Sequence, residues 1–345
     1  MDVVSDAISA VRIGQPSSNR LRVGGSWRTR LAPYEGAGFH VVLAGGCWLR
    51  PDGDGEPVTL GAGDVVLLPR GAGHVLADSP GDTAGAVPFE EMRTPPRGPD
   101  GREVELLCGK YRLDHSRVHP LLAELPDVVH LPNRVGAHPE LRSAVDLLAR
   151  ELDERRPGAC LALPSLLDLL LVYMVRAWMT DASAGVWPAV LSDPVTTAAL
   201  RALHSDPAAP WTNDRLAAEA GVSRATLARR FTALVGRPPM AYLTWWRLTL
   251  AATRLRDTDA PLAAVAREAG YGTPYALSHA FSREFGVTPG RFRAARSQGR
   301  AGQPPGRATN VSTATSKYSL ASRTLPTGAD TQTSYIRPPS SQHRS

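Results

Sequence analysis

The sequence predicts an α+β chain: an N-terminal β-barrel or sandwich, a helical connector, and a C-terminal all-α unit in which one helix-turn-helix is written twice. Three observations carry that prediction. Short apolar runs punctuated by Gly and Pro fill residues 20–110, and from Pro139 the apolar period becomes helical. Leu216-Ala217-Ala218-Glu219-Ala220-Gly221 is echoed about fifty residues later by Val265-Ala266-Arg267-Glu268-Ala269-Gly270. At 345 residues the chain is too long for one ordinary core, so two domains plus extras are expected. The boundaries read as 1–130, 138–185, 193–296 and a tail from 297 to 345.

In the first unit, strands are predicted over 39–43, 47–50, 57–60, 64–68, 74–77 and 104–108, where β-branched and apolar residues alternate or run together. Pro51-Asp52-Gly53-Asp54-Gly55 is a turn between strands. Residues 79–102, rich in Gly, Pro and charge, are expected to be a mobile loop.

In the connector, Leu141, Val145, Leu148 and Leu152 recur at helical spacing until Pro157-Gly158 stops them. A second helix is predicted from about Leu163-Pro164 to Met179, apolar on several faces. Pro164, Asp168 and Arg176 interrupt it, which argues for a buried helix and not a membrane span. Two readings stay open: an element packing against a second copy or another domain, giving a homodimer in the first case, or an ordinary buried helix.

The C-terminal unit begins at Asp193-Pro194, an N-cap with Pro at the first helical position, and one helix is expected to about Leu203. A scaffold helix over 213–220, a turn at Gly221-Val222 and a recognition helix over 223–234 follow, with Leu227, Phe231 and Leu234 facing inward. A long helix over 240–256 then joins the second unit, where Thr273 caps and Pro274 starts a helix burying Leu277, Phe281 and Phe285. At the usual rise the joining helix spans about 25 Å, enough to hold two short helices in successive major grooves about 34 Å apart. Residues 297–345, rich in Ser, Thr, Gly, Pro and Gln, lack apolar period and are expected to be a disordered basic tail.

Charge follows the same division. Residues 1–192 hold 19 Lys and Arg against 24 Asp and Glu, whereas residues 193–296 hold 14 against 8 and the tail 6 against 1. A polyanionic partner suits the basic half, and double-stranded DNA is the expected one. On the first recognition helix Arg229, Ala225 and Ala228 are the base-contact candidates, because a guanidinium can bond a guanine edge twice and Ala admits a thymine methyl. Arg224 and Arg230 are assigned to phosphates. On the second helix Tyr275, Ser278 and His279 face the groove and Arg283 takes phosphate.

These residues carry a resemblance. Ala220-Gly221-Val222-Ser223-Arg224 with Leu227, Arg229 and Phe231, the join Gly236-Arg237-Pro238-Pro239-Met240 with Tyr242-Leu243, and Ala269-Gly270-Tyr271 through Phe292-Arg293 strongly resemble the DNA-binding domain of AraC-type bacterial transcriptional regulators. The resemblance implies promoter binding, activation more often than repression, RNA polymerase as a further partner, and a dominant first recognition helix.

Gly63, Pro69, Gly71, His74 and Asp78 fit the second motif of cupin barrels, with Asp where that motif ends in Asn. The first unit therefore resembles a cupin-like sensor domain. The first cupin motif, with its two His and Glu, is not recognisable, and only His40 offers a second nitrogen. Two His fall short of a catalytic metal site of about three protein ligands, so no metal, no cofactor and no enzyme activity are expected. The alternative is a cupin metalloenzyme fused to an accessory DNA-binding domain. Three uses of the barrel remain open: a pocket for a small-molecule effector around His40, Cys47, His74 and Cys108, a metal or redox sensor using the same residues, or a barrel that only dimerises. Cys47, Cys108 and Cys160 form no paired motif, and the first residues lack a leader pattern, so a cytoplasmic protein without a membrane partner is expected.

Overall fold

The computed structural model describes residues 3–81, 83–92, 103–113, 119–154, 156–182 and 186–301. Helix α1 (Val3–Val11) is followed by strands β1 (Ser17–Gly24), β2 (Arg28–Leu31), β3 (Ala37–Ala44), β4 (Gly46–Pro51), β5 (Val58–Gly61), β6 (Val65–Leu68), β7 (His74–Ala77), β8 (Val87–Pro88) and β9 (Glu103–Tyr111). Helix α2 (Pro120–Ala123), strand β10 (Val129–Leu131) and helices α3 (Pro139–Glu154), α4 (Ala159–Asp181) and α5 (Val186–Ser192) complete this half.

The strands make two five-stranded sheets, β1-β9-β3-β6-β10 and β5-β4-β7-β2-β8. Val42, Val66, Leu68 and Leu106 of the first sheet share a core with Leu31, Leu49, Leu60 and Leu76 of the second. The expected barrel is therefore two packed sheets. All the strands predicted between 39 and 108 form, whereas β1, β2 and β10 were not anticipated. In β1 the outward Arg20 and Arg22 disguise the strand, and their charge is met by Glu105 on neighbouring β9.

Strand β6 is buried on every residue because it is covered on both sides. Val66 and Leu68 face the barrel, while Val65 and Leu67 join Phe39, Val41 and the inner faces of α3 and α4 in a second core. Leu167, Leu170, Leu171, Met174 and Val175 of α4 are buried there, so the chain's own sheet covers one side of this apolar helix. Leu161 and Leu169 of α4 and Leu147 of α3 remain exposed. Helix α4 starts at Ala159, several residues before the predicted start at Pro164. Gly158 holds the left-handed conformation and its carbonyl accepts from Leu161 and Ala162, so the first turn forms upstream of the proline. Within the segment expected to be a mobile loop, β8 pairs in parallel with β2, and Phe89 and Met92 pack on the barrel core; residues 82 and 93–102 lie outside the described residues.

The second half comprises α6 (Pro194–Ser205), α7 (Asn213–Glu219), α8 (Arg224–Val235), α9 (Pro239–Asp257), α10 (Leu262–Glu268), α11 (Pro274–Phe285) and α12 (Pro289–Ala301). Helix α9 belongs to two cores. Tyr242, Leu243, Trp245 and Trp246 pack with α6, α7 and α8, while Leu248, Ala251, Ala252 and Leu255 pack with α10 and α11. Helix α12 puts Phe292 against Phe281 and Phe285, with ring centroids 5.3 and 5.4 Å away. It runs to Ala301, into the start of the expected tail, and the remainder of that tail lies outside the described residues. Helix α1, at the far end of the chain, inserts Val3, Ala7 and Ala10 into the core of α6 to α9.

Candidate nucleic-acid interface and sensor pocket

The turn and the second-helix cap of the duplicated unit repeat bond for bond. Helix α7 ends with Gly221 at φ +66°, the Gly221 N–H donating to Ala218 and the Val222 N–H to Ala217. Helix α10 ends with Gly270 at φ +74°, its N–H donating to Arg267 and that of Tyr271 to Ala266. This paired closure satisfies the last carbonyls of each scaffold helix and turns the chain into the next. Ser223 Oγ then accepts from the Thr226 N–H at 3.2 Å and Thr273 Oγ1 from the Ala276 N–H at 3.1 Å, capping α8 and α11. Leu227, Phe231, Leu277 and Phe281 are fully buried. The opposite faces are therefore fixed outward.

On α8 the outward set is Arg224, Ala225, Arg229 and Arg230, with Ala228 half-buried between them. Arg224 lies 3.9 Å from Asp214 and Arg230 3.3 Å from Asp193, so both guanidiniums have an acid beside them. Arg229 has no ion-pair partner among the described residues. On α11 Tyr275 is 80 % exposed, His279 and Arg283 are exposed, and Ser278 is half-buried. Arg224 and Ala225 of α8 and Tyr275 of α11 lie in the first turns of their helices, at the positive ends of the helix dipoles, which favours an anionic partner there.

A buried joint between the two halves escaped the sequence reading. Asp6 Oδ2 lies 2.9 Å from His204 Nδ1, His204 Nε2 lies 2.7 Å from Tyr242 Oη, and His119 Nε2 lies 3.0 Å from the same hydroxyl. Burial, then the charges of His204 and Arg237, pushes His119 well below the usual imidazole range. Burial also pushes the Tyr242 phenol up, so both stay neutral. Outside this chain, Ala10 O accepts from Thr253 Oγ1, Arg12 O accepts from Arg256, and Arg12 meets Asp168 of α4 at 2.5 Å. Val3, Ala7 and Ala10, at helical spacing, are the sequence signal for α1.

In the barrel, the glycines of the second cupin motif do what the motif requires. Gly71 adopts φ +59°, and a Cβ there would meet the Tyr34 carbonyl oxygen at 2.3 Å, so only glycine makes this corner. The corner returns His74 inward, where its Nε2 lies 2.7 Å from His40 Nε2 and its Nδ1–H donates to the Ala72 carbonyl at 2.9 Å. With His74 Nδ1 protonated, His40 Nε2–H is the donor to His74 and His40 Nδ1 carries the free lone pair. That atom is buried without a hydrogen-bond partner, as is Tyr34 Oη. Both share the inward side of β3, for a Cβ at Gly38 would lie 2.5 Å from Tyr34 Oη. Burial, then the charge of His74, holds His40 well below its usual range, and burial likewise lowers His74.

Each imidazole spends on the other the nitrogen that would face a shared metal, and no group of three or more His, Cys, Asp or Glu stands ready for an ion among the described residues. Cys47 and Cys108 are buried in the barrel core; burial, then Asp64, pushes the Cys47 thiol up to about 12, and burial, then Cys47, pushes Cys108 higher still. Cys160 is exposed on α4, away from both.

A cupin family model matches residues 2–180 and a helix-turn-helix domain model residues 216–295. A putative AraC-like transcription regulator of Streptomyces antibioticus is 37 % identical over 85 % of this chain and 98 % of its own length. The HTH-type transcriptional regulator MtrA of Neisseria gonorrhoeae is 28 % identical over 85 % of this chain and 98 % of its own. Among solved structures, the DNA-binding domain of AdpA in complex with a target DNA is 33 % identical, covers 32 % of this chain and 100 % of that one, and has a TM-score of 0.30.

Proposed function

Because the chain belongs to the AraC-like DNA-binding transcription regulators, with a cupin-type domain ahead of its helix-turn-helix domain, we propose that α8 and α11 read two adjacent grooves of one promoter and that the barrel senses a small organic effector. Residues 1–130 sense, 138–185 connect and 193–296 read DNA. Arg229, Ala225 and Ala228 make the base contacts of the first groove, and Tyr275, Ser278 and His279 those of the second. Arg224, Arg230 and Arg283 hold phosphates.

The observation that carries the reading is the bond-for-bond repeat of cap, turn and buried Leu/Phe pair, which leaves two outward faces of the same construction. Selection of genomic fragments by the full-length protein at moderate salt tests it. Enrichment of promoters is the expected result, and recovery no better than scrambled duplex defeats it.

For the effector, His40 Nδ1 and Tyr34 Oη supply one acceptor and one donor that the protein itself leaves unmet. An uncharged organic molecule with complementary groups would meet both. The raised thiols of Cys47 and Cys108 weigh against a redox sensor, since the thiolate is the reactive form. Effector binding would act by favouring one of two arrangements of the DNA-binding unit. For the homodimer, Leu147, Leu161 and Leu169 offer the apolar surface, with sedimentation at micromolar concentration as the check. An activator would bring RNA polymerase to the same promoter.

A further inference from the structure

A cavity of about 500 Å³ lies on the outer side of the first sheet, away from the barrel interior. Its walls are Ile8 of α1, Leu67 of β6, Leu122 of α2, and Leu171 and Val175 of α4. The polar side chains on its wall are Glu35 and Arg70; Tyr34 borders it too, but its hydroxyl lies on the barrel side of β3. The Arg70 guanidinium is already taken by the carbonyls of Ala123 and Leu125, each at 2.9 Å, and by Asp127 at 2.7 Å. It braces the wall and leaves the chamber mainly to apolar contacts. The volume falls in the range of small-molecule sites, and apolar walls facing empty space forgo dispersion contacts that an apolar occupant restores.

The position of α1 gives this chamber a consequence. Ile8 faces the cavity, while Val3, Ala7 and Ala10 on the same helix are packed into the core of α6 to α9. Asp6 bonds His204 of α6, and the carbonyl of Ala10 accepts from Thr253 of α9. Helix α4 repeats the arrangement, with Leu171 and Val175 on the chamber and Trp178 and Met179 packed against the same distant core. We propose that this cavity is an effector site for a compact, uncharged, largely apolar molecule, and that α1 conveys its occupancy to the helices that carry the DNA-reading unit.

The proposal rests on the chain being a ligand-responsive regulator, but it makes no use of His40, and the two sites share only Tyr34 as a border. The test uses the full-length protein and the neutral fluorescent probe N-phenyl-1-naphthylamine, with amide hydrogen exchange followed over residues 3–11. Expected are saturable binding of one probe per chain, a loss of at least about tenfold in affinity when Ala123→Trp plugs the exposed rim, no loss in His40→Ala, and altered exchange in α1 on binding. Leu122→Trp serves if Ala123→Trp melts early. Binding that is not saturable, that survives a folded plugged variant, that is lost in His40→Ala, or that leaves exchange over 3–11 unchanged overturns the proposal. Promoter selection is a separate measurement, so a chain that takes the probe but selects no promoter defeats the DNA reading and not the cavity.

Discussion

The Nε2 of His204 lies 2.7 Å from the hydroxyl of Tyr242, at the middle of a buried chain running from Asp6 on α1 through α6 and α9 to His119. Asp6 and His204 stand 198 positions apart in sequence, so the bond between them ties the N-terminal helix to the first helix of the C-terminal half. A single phenol proton serves two imidazoles. Tyr242 therefore accepts from one and donates to the other, which ties their tautomers together.

Tyr242→Phe keeps the ring and its packing against Phe231 and Trp245 but removes the buried hydroxyl that bonds both imidazoles. We expect a loss of about 1–3 kcal/mol in urea denaturation. Asp6→Ala should cost a similar amount, and the double variant less than their sum, because both act on His204. Strict additivity in the double-mutant cycle would dissolve the network into separate contacts.

Arg229→Ala should weaken binding to the cognate site by about 1–3 kcal/mol and relax one base position. Arg230→Ala should weaken binding to all duplexes alike, and only modestly, since Asp193 already holds that guanidinium at 3.3 Å. Binding-site selection followed by sequencing, with anisotropy titrations on the recovered site, separates the two outcomes. An unchanged base profile for Arg229→Ala would remove it as a reader.

The two turn glycines, which look equivalent in sequence, should respond unequally. Gly221 at φ +66° faces open space, so Gly221→Ala meets only the cost of the left-handed backbone, about 1 kcal/mol. Gly270 at φ +74° would place a Cβ 2.8 Å from Ala208 Cα and 2.9 Å from the Arg247 guanidinium, which is pinned to the carbonyls of Pro207 and Ala209. The neighbour cannot yield without breaking those bonds, so Gly270→Ala should cost at least about 2–3 kcal/mol. Equal shifts in thermal midpoint would contradict this account.

That asymmetry marks where the sequence was readable. The caps Ser223 and Thr273, the turn glycines and the Leu/Phe pairs act over a few residues, and each was placed to within a position or two of α7, α8, α10 and α11. Strands β3 to β7 were legible for the same reason, since alternation and Gly/Pro punctuation are local. Strand β1 was not, because Arg20 and Arg22 look like loop residues until Glu105 is set beside them by pairing across more than eighty positions. His119 illustrates the limit further: nothing near it in sequence announces a bond to Tyr242, and its burial is decided by elements from both halves of the chain. Motif spacing offers His40 as a second nitrogen near His74, but their direct bond, the orphaned Nδ1 and the nearby Tyr34 hydroxyl follow only from the tertiary packing.

Asp64, next to the motif residue Gly63, gives a pH dependence of definite sign. Burial alone would raise its carboxyl, but the N–H groups of Gly61 at 3.0 Å and Asn133 at 2.7 Å, with the His130 imidazole at 3.0 Å, together hold it below its ordinary value. A carboxyl lowered on folding contributes stability that is fully present above its unfolded value, about 4, and that is lost as pH falls through the lower folded value. Asp64→Asn removes the charge and weakens the tie between the turn before β6 and the segment after β10. We expect it to cost about 2 kcal/mol at pH 7 and to differ progressively less from the parent as pH is lowered from 5 towards 3. Urea denaturation at stepped pH reads both numbers. A gap that stays constant over that range would assign the effect to packing around Gly63 and Asn133 and not to the ionised carboxylate.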